Sequence, residues 1–262
     1  MSSLVVNRRT ALLFLSSGTG AILMSACGGN TSNTESSASP LASSSSASST
    51  SSSETPSSAS PSASPSRRNS FQRGFNVELN NADMEYTGEG YMYSTREKQG
   101  YGWPHPKRPQ EMSENSELGL YYSWAYASAG ISYAMKTGDD TYIKQSGMTE
   151  GDQKLFNSIA LLEETREGKY WEESGNFVYR LESDHPEKKG EEYSWPYQLQ
   201  MFHGDFYVRN GEVHEIPENT DGWGKIVYST GALKARYLDG AWQMEGFFEG
   251  IATNVVGKPF DK

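Results

Sequence analysis

The sequence predicts an α+β domain: N-terminal helices packed on one face of a curved antiparallel sheet, preceded by a disordered linker. Two observations carry this. Between Ser116 and Gly168 apolar residues recur every three or four positions, the period of a helix face, and after Gly168 they alternate as in a half-buried strand. Two hairpin-type dipeptides, Asn210-Gly211 and Asp239-Gly240, then join neighbouring strands. The chain divides into a signal segment (1–27), a linker (28–66), an irregular arm (67–108), the α+β domain (109–257) and a short tail (258–262).

The signal segment has a basic start at Arg8-Arg9, an apolar run from Ala11 to Met24, and small residues around Cys27. A permanent span needs about 20 apolar residues, so this run is too short to remain in the bilayer and reads as a signal peptide. Met24-Ser25-Ala26-Cys27-Gly28 resembles the lipobox of bacterial lipoproteins, with Met24 where Leu or Val is usual. The resemblance implies cleavage before Cys27 and a diacylglycerol thioether on it, with palmitate-type chains holding the protein at the extracytoplasmic face of the cell membrane. Asn7-Arg8-Arg9-Thr10-Ala11-Leu12-Leu13 resembles a twin-arginine export signal; Sec export is the alternative. Cys27 is the chain's one cysteine, so an acylated Cys27 leaves no disulfide and the fold must stand on its core.

Residues 1–26 contain two arginines and no acid, so their removal moves the net charge from −10 to −12. Such a chain is repelled by phosphate backbones, which excludes nucleic acid as a partner. It is also repelled by anionic lipid, so membrane attachment must come from acyl chains, at about 0.8 kcal/mol per buried CH₂. Residues 30–66 are almost entirely Ser, Ala, Thr and Pro and bury too little to order themselves. A flexible tether of about 40 residues has an r.m.s. reach of about 35 Å.

The arm holds Tyr86, Tyr91, Tyr93, Tyr101 and Trp103 without helical or strand period, and the prolines after Trp103 favour extended backbone. The first helix starts at Ser116, which can cap it. Leu118, Tyr122, Ala125, Ala129 and Tyr133 give its predicted buried face, and Lys136 with Gly138 gives its stop. A short helical turn is expected over 140–145. A third helix opens at Thr149-Glu150-Gly151-Asp152, a capping-box-like start, with Leu155, Ile159 and Leu162 buried and Gly168 closing it. Then Phe177, Tyr179 and Leu181 alternate, and every odd position from Tyr193 to Met201 is apolar or aromatic. Pro196 removes a donor from this second strand and predicts an edge or a bulge. Leu233, Ala235 and Tyr237 lead to Asp239-Gly240, and Trp242 and Met244 return beyond it.

This order, with Thr137-Gly138-Asp139 after a long helix and Asp239-Gly240-Ala241-Trp242-Gln243-Met244 at the end, resembles the cone-shaped fold of nuclear transport factor two and ketosteroid isomerase. Residues 106–162 are similar to a family of uncharacterised actinobacterial lipoproteins with that cone. Pro109-Gln110-Glu111-Met112, Glu117-Leu118-Gly119-Leu120, Tyr133-Ala134-Met135-Lys136-Thr137-Gly138-Asp139 and Gly240-Ala241-Trp242 carry the likeness. As the resemblance has it, members often hold a cysteine pair at the third helix, where this chain has Met148-Thr149-Glu150-Gly151-Asp152. It implies fold and location and no activity.

No Cys/His metal spacing, nucleophile elbow or phosphate loop occurs, so no metal and no cofactor is expected. His203 shares the parity of the aromatic stripe, and Asp205 shares it if the strand runs through Gly204. In a cone-fold isomerase or hydratase these two would form the general base. The reading preferred here ends the strand at Gly204 and leaves both at an exposed rim. Trp124, Trp195, Tyr197, Met201 and Trp242 are candidates to line a pocket. The leading expectation is a lipid-anchored, non-enzymatic domain binding a small ligand or an envelope protein. The alternatives are the isomerase-type enzyme, and a structural or interaction lipoprotein with a filled core that can pair as a homodimer.

Overall fold

The computed structural model describes residues 70–86, 90–218 and 224–249. Cys27, the signal segment, the linker and the tail lie outside the described residues. What is described is a mixed α+β unit with antiparallel sheets.

The first helix, α1 (Glu117–Thr137), begins where predicted: the Ser116 hydroxyl accepts from the Gly119 amide at 3.1 Å. It ends at Gly138, whose φ of 76° suits glycine and whose Cβ, if present, would meet the Leu162 carbonyl oxygen at 2.4 Å. The buried face is the predicted one only in part: Tyr122 and Ala125 are buried as expected. Leu120, Trp124, Ala127, Ile131 and Ala134 have no exposure, whereas Leu118, Ala129 and Tyr133 are only partly covered. Both stripes have helical spacing, and the deeper one is the one that meets the sheet.

Two short helices follow, α2 (Thr141–Lys144) and α3 (Glu150–Ile159), then α4 (Leu162–Arg166). The capping box at α3 does not form. Instead the Asp152 carboxylate accepts from the amides of Gly246 and Phe247 at 2.7 and 3.1 Å, tying α3 to the end of the sheet. Phe156 is the buried residue of α3, Ile159 stands exposed, and the break before α4 separates Leu162 from the predicted stripe.

The arm contributes β1 (Asn76–Val77), and β2 (Met84–Glu85) paired with β3 (His105–Pro106). After α4 come β4 (Tyr170–Glu172), β5 (Asn176–Leu181), β6 (Glu187–Lys189), β7 (Glu192–Phe202), β8 (Phe206–Arg209), β9 (Glu212–Glu215), β10 (Ile226–Leu238) and β11 (Ala241–Glu245). The main sheet has the order β1-β5-β7-β10-β11, with β6 also pairing β7; β4-β8-β9 form a second sheet. The turns match their dipeptides. Asn210 and Asp239 have φ near 50° and each is followed by a positive-φ glycine.

Pro196 sits in the central strand, neither at an edge nor at a bulge. Its carbonyl oxygen accepts from the Glu182 amide, on the side where β5 ends opposite Tyr197 and β6 begins opposite Ser194. In an antiparallel strand N–H and C=O of one residue face the same neighbour. The missing donor therefore faces Glu182, just past the end of β5, so the proline forgoes one reciprocal bond at a strand terminus and leaves the ladder inside β5 intact.

The core joins α1 to the sheet. Trp124 packs on Tyr179, Tyr197 and Trp195 at ring separations of 5.6, 5.6 and 6.1 Å. Phe71 and Val77 belong to the same buried cluster, so the core starts well before the predicted domain boundary at 109. The arm supplies an edge strand to the sheet, which its composition gave no period to reveal.

Candidate functional site

Trp124, Trp195, Tyr197, Met201 and Trp242 line neither of the two cavities described below. They pack against one another and α1, each less than a tenth exposed. The aromatic stripe is core, as the alternation of β7 and β11 dictates.

His203 and Asp205 are not brought together. Strand β7 stops at Phe202, and Gly204, with φ 86°, turns the chain so that the two residues part. Asp205 is 58% exposed and pairs with Lys225 Nζ at 2.8 Å, which holds its carboxyl below the usual carboxylate range. His203 is not at the rim: it is 15% exposed, and its Nδ1 lies 3.0 Å from Glu172 Oε2, itself 8% exposed. The other Glu172 oxygen accepts from the Tyr170 hydroxyl. Burial, followed by the Glu172 charge, pushes that hydroxyl's pKa up. A carboxylate that orients an imidazole is the arrangement of a general base. None of the three side chains lines either cavity, however, and their evident work is to bind β4 of the second sheet to the end of β7. Glu172 escaped the sequence reading because β4 is only three residues long.

The more open chemistry lies on the other side of α1. Strand β1 ends at Val77, so the edge of β5 away from β7 has no strand beside it beyond Tyr179 among the described residues. There the Phe177 backbone turns to α1: its amide donates to Ser132 Oγ at 3.2 Å, and its carbonyl accepts from the hydroxyls of Ser128 and Ser132 at 3.4 Å each. Small residues of α1 thus form the floor of a groove of about 440 Å³, walled by Val77, Leu79, Met84, Phe177 and Phe202. A second cleft of about 270 Å³ shares Met84, Ala129, Ser132 and Asn176 with the first and continues it toward the end of the helix.

That cleft is aromatic. Tyr91 meets Tyr93 edge-on at 4.7 Å and Trp103 at 5.2 Å, and Tyr86 lines the same space. Gly100 admits the indole, since a Cβ there would lie 2.7 Å from it. Of the eight exposed large hydrophobics among the described residues, Tyr86, Tyr91, Met92, Tyr93 and Tyr101 all belong to the arm. Scattered exposed apolar residues need no explanation, but a cluster around a cleft marks a contact surface. Gln99 fastens the arm there, donating to the carbonyls of Lys136 and Thr165, in the last turns of α1 and α4, at 3.2 and 3.0 Å.

Lys136 lines the second cleft, beside the arm. Its ammonium lies 4.6 Å from the Trp103 ring centroid and donates to Asn176 Oδ1. No carboxylate pairs with it among the described residues, and burial alone pushes its pKa down to about 8. A charge taken from water with only a ring and an amide for company is costly, and shifted groups of this kind cluster at functional sites. The indole Nε1 of Trp103 is also buried and has no hydrogen-bond partner among the described residues. In the sequence Lys136 reads as a helix stop signal; the arm that surrounds it lies some forty residues earlier, which no local pattern reveals.

No group of three or more His, Cys, Asp or Glu side chains among the described residues is placed to hold a metal ion. No helix of the described residues is long and apolar enough to cross a membrane.

The fold and site define a small α+β domain with a packed aromatic interior and an arm-covered cleft along its first helix. Residues 89–247 match the model of a family described as a family of unknown function, DUF6318, and the chain belongs to that family. The matched span includes Tyr91, Tyr93, Trp103 and Lys136. No curated protein and no solved structure matches the chain.

Proposed function

We propose that this protein is a cell-envelope lipoprotein, held at the extracytoplasmic face of the membrane by an acylated Cys27, whose folded domain binds a small ligand without transforming it. The ligand occupies the cleft between the arm and α1, and the main sheet wraps α1 in the manner of the nuclear transport factor two cone. The cleft carries this reading: exposed tyrosines and a buried ammonium with no carboxylate partner among the described residues converge on one space. The combined groove falls in the size range of small-molecule sites, roughly 300–1,000 Å³. The separation of His203 from Asp205, and the filled interior, weigh against the isomerase-type alternative.

A fragment screen by NMR tests the binding role. Fragments that shift the Trp103 indole and Tyr91 resonances support it, and hits confined to other surfaces refute it. Metabolic labelling with an alkyne fatty acid tests the anchor: label is expected on the wild-type chain and absent from Cys27→Ser, whereas an unlabelled wild-type chain would remove the lipoprotein reading.

A further inference from the structure

We infer that the ligand of this cleft is a single-chain aliphatic carboxylate, its carboxylate on Lys136 and its hydrocarbon chain along the groove floored by α1. The inference deepens the binding role proposed above and rests on it. Three observations set the chemistry. First, the cation at one end has no counter-ion: its two contacts among the described residues are the Trp103 ring and the Asn176 amide oxygen. The ammonium has three donors, so after Asn176 it keeps two for a carboxylate. Second, the chain as a whole carries net charge −10, so a lysine left without an acid is not for want of acids. Third, the second cleft, which Lys136 lines, shares Ala129 and Ser132 with a groove that is mostly apolar, Glu78 being the charged residue on its wall. Ala125, Ala129 and Ser132 lie on the same face of α1 as Lys136, and Val77, Leu79 and Phe177 form the walls.

Length follows from the helix. Ala125 and Lys136 are eleven positions apart, which at 1.5 Å rise per residue is roughly 16 Å, the reach of an extended chain of about a dozen carbons. An aliphatic tail suits small-residue floors and Val, Leu and Met walls, and the partly exposed tyrosines at the mouth cover the carboxylate end. A neutral alcohol would leave Lys136 unpaired, and a quaternary ammonium would meet it with like charge.

The test uses the full chain carrying Cys27→Ser, so that no acyl group of its own competes for the groove. Calorimetry is run with dodecanoate, dodecanol, dodecyltrimethylammonium and octanoate. Dodecanoate is expected to bind one to one, at least ten-fold tighter than dodecanol or octanoate, with no binding of the cationic amphiphile. At pH 8.5, in two buffers of different ionisation enthalpy, binding is expected to take up a proton, because a carboxylate restores the charged form of Lys136. K136M should bring dodecanoate down to the affinity of dodecanol. A129F, which blocks the shared floor without touching the cation, should abolish binding of both. Equal affinities for dodecanoate and dodecanol, wild-type affinity in K136M or A129F, or no binding of dodecanoate would overturn the inference. If fragments still bind at Trp103 in those cases, the binding role survives and only the ligand class falls.

Discussion

Lys136 makes a prediction whose sign is opposite to that of an ordinary buried contact. Its pKa falls from 10.5 in an exposed lysine to about 8 in the folded chain, through burial. At about 1.36 kcal/mol per unit, that difference costs the folded state roughly 3 kcal/mol while the group is charged in both states. The lost cation–π contact with Trp103 and the hydrogen bond to Asn176 return about 1–2 kcal/mol of this. Lys136→Met should therefore stabilise the protein at pH 7 by about 1–2 kcal/mol. The pH dependence fixes the cause. Below pH 8 both states hold the proton and the penalty is full. Between pH 8 and 10.5 the folded state releases its proton first, the unfolded state binds more, and wild-type stability rises relative to the variant. Urea unfolding followed by tryptophan fluorescence at pH 7 and pH 10 measures both. The advantage of K136M should be lost or reversed at pH 10. A variant less stable than wild type at pH 7, or a gap that does not change with pH, would refute the reasoning.

Trp242 is 2% exposed, lies edge-on to Tyr193 and Tyr237, and donates from Nε1 to the Glu114 carbonyl at 2.9 Å. Trp242→Ala should cost about 3–5 kcal/mol in the same urea assay, and a loss below about 1 kcal/mol would place the residue outside the core. His203→Ala leaves Glu172 buried with only the Tyr170 hydroxyl, and should cost about 1–3 kcal/mol; unchanged stability would mean that the pair contributes nothing to joining the sheets. Limited proteolysis should leave a resistant fragment that begins near residue 70, because Phe71 and Val77 are core residues; a fragment starting near 105 would show the arm to be dispensable.

Much of the fold was legible because periodic patterns and turn chemistry are local. Ser116 and Gly138 bracket α1, Phe177, Tyr179 and Leu181 alternate into β5, and the Asn210-Gly211 and Asp239-Gly240 turns fix their hairpins. What depends on distant partners was not. Two stripes of α1 have helical spacing, and only the sheet decides that Trp124 goes inward while Ala129 faces a cleft. Asp152 caps nothing in its own helix, because the amides of Gly246 and Phe247 claim it. His203 finds Glu172 on a strand too short to show a period, and Asp205, its neighbour in sequence, finds Lys225 instead. The arm shows no period in the sequence, yet its backbone supplies both an edge strand and the aromatic wall around Lys136.

A crystal structure of the Cys27→Ser chain grown with dodecanoate tests the central claim most directly. The account predicts density for a carboxylate within hydrogen-bond reach of Lys136 Nζ, about 2.7–2.9 Å for a charge-assisted bond, with a tail running past Ala129 toward Ala125. An empty cleft, or the amphiphile bound elsewhere on the domain, would contradict it.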